Sequence, residues 1–322
     1  MIVETLVLLI ILFLTVRWFL RGLKVRYYGN KHVFITGCDT GFGNLLAKRL
    51  DTLGFRVYAG CLTAKGMDDL KATCSKYLTT VEIDVSKETS IQKARHDVER
   101  KLPKGKGLWA IVNNAGVPGS IGPIEWLPAS EFRRTIEINL FGVIFVTKEF
   151  LPLVRREKSG RIVNMSSICG RLAVATGPYV ASEFGVEGFS DQLRYELYRS
   201  GISVHIIEPG YFRTGIVDEE AIRTDLHATF EQAPREVQKY YGEIYRDETV
   251  EKNSKLLTTI MSPKINKVVE AYEHAVTSRF PKTRYVIGWD AQIPFRILWN
   301  LPEWMTGFIV SRTMSTPEGA KI

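Results

Sequence analysis

Two side chains in this 322-residue sequence could move a proton on a substrate oxygen. They are Ser167, closing Arg161-Ile-Val-Asn-Met-Ser-Ser167, and Tyr179, in Pro178-Tyr-Val-Ala-Ser-Glu-Phe-Gly185. A phenolate within hydrogen-bond reach is a suitable base for the proton an alcohol loses as its carbon gives up hydride. A serine and a tyrosine at this spacing mean little alone; their weight comes from what precedes them. His32 to Leu50 reads as strand, glycine turn and helix: a β-branched run to Ile35, the turn Thr36-Gly-x-x-x-Gly-x-Gly43, then Leu45, Leu46 and Leu50 at helical spacing. Such a turn aims backbone N–H groups and the positive end of a helix at one point. Gly37, Gly41 and Gly43 let a bulky anion approach without a Cβ in the way. A pyrophosphate is the natural occupant, although the spacing is not Gly-x-Gly-x-x-Gly and a plain tight turn uses the same glycines.

The elements that must position these residues alternate in type. Phe55–Leu62 reads as a second strand and Thr79–Val85 as a third, with Asp84 at its end suited to touching an adenine amino group. A helical pattern over Ile91–Leu102 leads to a buried run, Leu108–Val112, that ends in Asn113-Asn-Ala-Gly116. Ser130–Phe150 predicts one long helix capped by Ser130, with Asn139 interrupting its apolar stripe of Phe132, Ile136, Leu140, Val143 and Phe150. Arg161–Ser167 and Ile202–Ile207 are further strands, the latter followed by Glu208-Pro209-Gly210. Pro263–Ser278 reads as a helix and Thr283–Gly288 as the last strand. His205 alternates into a buried strand and reads as structural. The alternation argues for an α/β fold with a doubly wound, Rossmann-like parallel sheet covered on both faces. The length suits one large domain, 27–290, with additions at each end.

With Thr36-Gly-x-x-x-Gly-x-Gly43, Asp84-Val85 and Asn113-Asn-Ala-Gly116 in this order, the chain resembles the short-chain dehydrogenase/reductase family over roughly residues 30 to 290. The resemblance implies Tyr179 as acid/base, Ser167 as the holder of the substrate oxygen, and Asn139 as the residue that positions water in the proton path. It implies cofactor contacts from Gly37, Thr40, Gly41, Phe42, Gly43, Asp84, Asn113, Ala115, Tyr179, Pro209, Gly210 and Thr214, and no metal. The cofactor is NAD or NADP, NAD being favoured by the resemblance. The end of the second strand does not decide between them. An acidic residue there would bond the adenosine ribose and an arginine would accept a 2′-phosphate, whereas this chain has Cys61, Leu62 and Thr63, with Lys65 nearby.

Ile35-Thr-Gly-Cys-Asp-Thr-Gly-Phe-Gly-Asn44, Asn164-Met-Ser-Ser167, Gly185-Val-Glu-Gly-Phe-Ser-Asp191 and Ile207-Glu-Pro-Gly210, with the apolar N-terminus, resemble the membrane-associated retinol and 17β- or 3α-hydroxysteroid dehydrogenases. That implies an apolar alcohol, with its ketone or aldehyde, as the substrate, and attachment to endoplasmic reticulum. A homodimer is left open. So are a catalytically silent lipid- or cofactor-binding protein on the same fold and a soluble dehydrogenase for a polar substrate.

Glu183 departs from the family, which has a lysine four residues after the tyrosine. That lysine holds the nicotinamide ribose and lowers the tyrosine pKa from about 10. A carboxylate accepts hydrogen bonds from ribose hydroxyls but cannot do the electrostatic work. At roughly 6 Å and an effective dielectric of about 20, reversing the charge costs the phenolate about 5 kcal/mol, roughly 4 pKa units, if Glu183 is ionised. Three readings follow: an altered enzyme, a binding protein without turnover, or substitution by another cation, for which Lys148 and Arg171 are the nearest by motif.

Residues 1–26 are apolar between Glu4 and Arg17, short for a spanning helix unless Arg17 snorkels, and lack a small-residue cleavage site. They read as an uncleaved membrane anchor. Arg17, Arg21, Lys24 and Arg26 beyond it place the following domain in the cytosol. The net charge of +8 suits an anionic cofactor or membrane surface, and no signature supports nucleic acid. Cys38, Cys61, Cys74 and Cys169 have neither metal nor disulfide spacing. Residues 215–254, polar and helix-prone with Pro234 as a break, form the expected substrate lid. The apolar tail, 291–322, holds Phe295, Trp299, Trp304 and Phe308, and suits a membrane surface and packing on the lid or a second subunit equally.

Overall fold

Short apolar runs without polar alternation must be covered on both faces, and in this chain they are. The computed structural model describes residues 2–175, 177–213 and 219–320, without the side chains of 219 and 256–258. The strands are β1 (His32–Ile35), β2 (Arg56–Cys61), β3 (Leu78–Glu82), β4 (Ala110–Asn113), β5 (Arg161–Met165), β6 (Ser203–Pro209) and β7 (Arg284–Ile287). They form one parallel sheet in the order β3-β2-β1-β4-β5-β6-β7. The strand order reverses between β1 and β4, the switch point at which such sheets open a ligand crevice.

The helices are α1 (Ile2–Gly22), α2 (Gly41–Thr52), α3 (Ala64–Thr73), α4 (Glu88–Lys101), α5 (Ala129–Ile136), α6 (Gly142–Val154) and α7 (Gly177–Leu197). They continue with α8 (Glu219–Gln232), α9 (Arg235–Ile260), α10 (Asn266–Thr277), α11 (Trp289–Gln292), α12 (Pro294–Leu298) and α13 (Glu303–Ser311). Leu46 and Leu50 of α2, Leu70 of α3 and Val268, Tyr272 and Val276 of α10 bury against one face of the sheet. Ile91 and Val98 of α4, Val146 and Phe150 of α6, and Leu193 and Leu197 of α7 bury against the other. The doubly wound architecture is the expected one.

Several local expectations change. β3 stops at Glu82, because the Asp84 carboxylate accepts from the Ser86 N–H (3.0 Å) and hydroxyl (2.6 Å) and turns the chain before α4. β5 ends at Met165, before the two serines. Pro128 takes the N-cap position, so Ser130 lies inside α5 and caps nothing. The long helix is interrupted by a π-helical turn, Glu137–Phe141. Pro234 separates α8 from α9 as expected, and α9 is itself kinked at Gly242, where φ is 79°.

The N-terminal helix is longer than its uncharged core suggested. α1 continues through Arg17 to Gly22, 21 residues with none buried. At 1.5 Å per residue that is roughly 31 Å, so by length and composition it is able to cross a bilayer. Beyond it the chain is pinned: the Val25 N–H donates to Thr277 O (2.8 Å) and the Arg279 N–H to Leu23 O (2.7 Å). Arg161, first residue of β5, donates to Ala275 O (2.6 Å) and Ser278 O (2.5 Å). α1 therefore leaves from the end of the sheet where the strands begin.

Candidate active site

The glycine turn closes on itself through side chains the sequence did not single out. The Asn114 amide donates to Thr36 O (3.0 Å) and Gly37 O (3.1 Å), and its oxygen accepts from the Tyr272 hydroxyl (3.1 Å). The Thr36 hydroxyl accepts from the N–H groups of Asn114 and Ala115 (3.0 and 3.1 Å). A Cβ at Gly43 would fall on the Gly37 carbonyl, and one at Gly37 on Ala115 Cα, so both glycines are required by close approach. Gly41 differs. It opens α2 at φ +65° and a Cβ there meets nothing within 4 Å, while Thr40 at the N-cap makes no side-chain capping bond. No side chain at the N-cap caps the first turn of α2, and Phe42 packs edge-on to Phe212 at 6.2 Å. A pyrophosphate fits this cradle.

Asp39 is a second missed residue. Its carboxylate accepts from Leu62 N (2.9 Å), Thr63 N (2.8 Å) and the Thr63 hydroxyl (2.6 Å), which sets a negative charge at the end of β2. Asp84 lies in the loop after β3, held by Ser86 and by Lys87 (2.9 Å). The Asn113 side chain is turned into the core, donating to Thr147 (2.8 Å) and Asn164 (2.8 Å), so it braces β4, β5 and α6. Pro209 ends β6. The Gly210 N–H donates to Ile287 O (2.7 Å), and Asp290, also missed, accepts from Tyr211 N (2.7 Å) in the space a Cβ at Gly210 would fill. Thr214 lies outside the described residues.

Ser167 is buried just past β5, its hydroxyl accepting from Cys169 N (3.1 Å). Tyr179 sits in the first turn of α7. Its ring edge is partly exposed, but its hydroxyl lies in a buried setting against Ser167. Burial, then the nearby Glu183, pushes the phenol well above its ordinary pKa, while Ser167 pulls the other way. Asn139 occupies the π turn, a distortion common at functional sites. Its amide donates to Val117 O (2.9 Å) and Ser182 Oγ (3.1 Å), and its oxygen accepts from Val117 N (2.8 Å). The Ser182 hydroxyl donates to Tyr179 O (2.7 Å), so Asn139 reaches the tyrosine backbone through one side chain.

Glu183 lies one helical turn from Tyr179 on the same face of α7. It is buried, and its Oε2 has no hydrogen-bond partner. Burial, with Glu187 adding to it, pushes its pKa up to about 8. Ser166 Oγ, Glu187 Oε1 and Glu208 Oε2 are also buried without partners around it, and burial and Glu208 push Glu187 up as well. Buried oxygens that lack donors are explained if the carboxyls themselves carry protons. Neither proposed substitute cation reaches the tyrosine. Arg171 is held by Glu208 (2.8 Å) and Glu187 (3.7 Å), and Lys148 is exposed on α6. Arg284 completes the cluster, bonding Glu187, Glu208 (2.7 Å) and Asp191 (2.5 Å).

The sequence profile described as short chain dehydrogenase matches residues 31–224. The chain belongs to the short-chain dehydrogenase family. It is 44% identical over 305 residues to short-chain dehydrogenase/reductase family 9C member 7 of Bos taurus, covering 94% of this chain and 95% of that one. It is 42% identical over 309 residues to 17-beta-hydroxysteroid dehydrogenase type 6 of Homo sapiens (96% of each chain) and 43% identical over 286 residues to retinol dehydrogenase 7 of Rattus norvegicus (89% of each). Among solved structures, a short-chain dehydrogenase from Streptomyces avermitilis superposes with a TM-score of 0.70 at 26% identity, covering 89% of this chain and 99% of that one.

In this short-chain dehydrogenase the tail packs beside Tyr179. Phe295 of α12 and Trp299 pack with Val174, Tyr179 and Val180 around the buried Ile168, Cys169 and Ala291. Phe295 also lies 6.0 Å from the Tyr211 ring. Trp126, Phe230 and Tyr241 join the lid helices α8 and α9 in a separate apolar cluster. Sequence reasoning gave the tail its aromatic character but not this placement, which depends on contacts from three distant segments. His205 bonds Lys282 O (2.7 Å) and Ser203 Oγ (2.8 Å) with its two ring nitrogens, and burial drives its pKa down to about 3.

Proposed function

We propose that the chain is a membrane-anchored dehydrogenase that interconverts an apolar alcohol, a retinol or hydroxysteroid, with its aldehyde or ketone. The observation that carries this is the Tyr179–Ser167 pair beneath an apolar wall of Val174, Val180, Phe295 and Trp299. The relatives named for retinol and 17β-hydroxysteroid support the substrate class. α1 supports attachment to a membrane, which we assign to the endoplasmic reticulum with the catalytic domain on the cytosolic side.

The cofactor supplies or takes the hydride when bound. The turn at Gly37, Gly41 and Gly43 would hold its pyrophosphate, with Ala115 and Gly210 alongside. The Asp39 carboxylate at the end of β2 favours NAD, since a 2′-phosphate there would meet a like charge. Tyr179, a neutral phenol near pH 7, gives its proton to the substrate oxygen as the carbonyl is reduced, and Ser167 holds that oxygen. Asn139 fixes the first turn of α7 through Ser182. Glu183 in its neutral form offers a hydrogen-bond donor where the family has an ammonium.

The test is turnover of retinol, a 3α-hydroxysteroid and their carbonyl forms by membranes carrying the full chain, with each cofactor. Reduction with NADH, abolished by Tyr179→Phe, is expected. Cofactor binding without turnover of any of the four would instead support a silent binding protein. Asp39→Asn keeps an acceptor but removes the charge, and should raise the NADP/NAD ratio of kcat/KM about tenfold, a modest fraction of a like-charge penalty. An unchanged ratio removes the assignment to Asp39.

A further inference from the structure

At the strand-starting end of the sheet, opposite Ser167 and Tyr179, lies a cleft of about 370 Å³. Its walls carry Arg56, Lys76, Lys101 and Lys106, and no carboxylate lines it. Arg56 is fixed there: its guanidinium stacks on the Tyr77 ring at 3.8 Å and its Nε donates to Gly29 O (3.2 Å). None of the three lysines forms a salt bridge among the described residues. The floor is polar and buried. His32 and Tyr58, each more than nine-tenths buried, face one another with the tyrosine hydroxyl 3.5 Å from His32 Nδ1. Burial first, and then the charges of Arg56 and Lys106, drive the His32 pKa down to about 4. Four cations around one concavity that no carboxylate lines repel each other unless an anion joins them.

The cleft's place in the chain selects the anion. Gly29 and Asn30, which line it, follow the end of α1 by so few residues that the cleft lies within roughly 25 Å of the helix terminus even if the link were fully extended. The link is pinned to Thr277 and Arg279 at the same end of the sheet, and Arg17, Arg21, Lys24 and Arg26 flank it. Cations in this position meet the anionic lipids of a cytosolic leaflet. We propose that this cleft binds the phosphate of an anionic lipid headgroup and so fixes the orientation of the domain on the bilayer from which α1 emerges. The proposal rests on α1 being a membrane anchor. The basic lining suits a phosphate headgroup rather than an apolar steroid, and the volume is at the small end for ligand sites.

The full chain, purified in detergent, is mixed with equimolar phosphatidate and phosphatidylcholine, and retained lipid is read by native mass spectrometry. Phosphatidate should be retained about tenfold over phosphatidylcholine. The triple variant Lys76→Glu, Lys101→Glu, Lys106→Glu should lose that preference, and the corresponding triple arginine variant should keep it. Equal retention of both lipids by the unaltered chain, or a preference that survives charge reversal, overturns the proposal. So does binding of millimolar inorganic phosphate without any headgroup preference, which would make the cleft a site for a soluble anion. Carbonate extraction of membranes reads α1 separately: release of the chain with phosphatidate preference intact rejects the anchor while supporting the cleft.

Discussion

On the proposed function, Glu183 governs what Tyr179 and Ser167 can do. Burial keeps its carboxyl largely neutral at pH 7, so the full penalty of an ionised neighbour does not fall on Tyr179 there. The phenol is nonetheless held well above its ordinary pKa, mainly by burial, and serves more readily as an acid than as a base. Raising the pH does not help oxidation, because Glu183 ionises near 8 and adds a negative charge beside the tyrosine. Glu183→Lys should therefore raise kcat/KM for alcohol oxidation at pH 7 by about 100-fold, the lower range of acid/base effects. Glu183→Gln should flatten the pH profile around 8. An unchanged oxidation rate in the lysine variant would show that the charge at this position does not govern the tyrosine. The same group sets a stability slope. An acid whose folded pKa is about 8 and unfolded pKa about 4.5 binds more protons when folded, so stability falls as pH rises through that window, by at most about 5 kcal/mol. Glu183→Gln should gain more in Tm at pH 8.5 than at pH 5. An equal gain at both pH values would mean that the carboxyl does not titrate in this range.

At the scale of elements, the π turn Glu137–Phe141 carries Asn139 where a regular helix would not. Its side chain serves both the N–H and the C=O of Val117 and reaches Ser182. Asn139→Ala leaves the part-buried Val117 groups and the buried Ser182 hydroxyl unmet and should cost about 2–4 kcal/mol of stability by denaturant unfolding, from roughly 1–3 kcal/mol per orphaned group. It should also lower kcat more than cofactor affinity. A loss confined to cofactor binding would assign Asn139 to the dinucleotide cleft instead. The strands and the glycine turn were legible because their signals are local: Val33-Phe-Ile35 and Ile111-Val112 need burial on both faces, and Gly43 tolerates no Cβ. Asn139 was legible as an interruption of an apolar stripe, but the π turn was not, since it follows from what Asn139 bonds across the site. Asp39 was invisible for the same reason. Its partners, Leu62 and Thr63, are 23 and 24 residues away, and only β1–β2 pairing brings them together. The raised pKa of Glu183 likewise comes first from burial in the folded molecule, with Glu187, one turn along the same helix, adding to it.

On the proposed function, the whole molecule separates two tasks by the length of its sheet: anchorage where the strands begin, chemistry where they end. The helices α8 and α9 are far from α1, and α9 is held instead by residues 315–319 near the C-terminal end. The Ile244 N–H donates to Glu318 Oε1 (3.3 Å), Lys252 donates to Ser315 Oγ (2.8 Å), and Gly319 packs against Tyr240. Gly242, at the kink of α9, has φ 79°, and a Cβ there would overlap the Glu318 carboxyl, so the kink and the strap fit each other. A kinked helix with few buried contacts belongs to the low-stability end of a fold, and an exposed strap of this kind adds only a little under native conditions. That small increment still bears on α8 and α9, which Trp126, Phe230 and Tyr241 join in one apolar cluster. Truncation after Met314 should raise KM for the apolar substrate about three- to tenfold, equivalent to roughly 0.7–1.4 kcal/mol, and leave cofactor affinity within twofold. Hydrogen exchange at the Ile244 amide should speed by a similar factor, since that N–H loses its acceptor. Faster exchange with an unchanged KM would confine the strap to local stability. Neither changing would mean that α9 holds its kink without it.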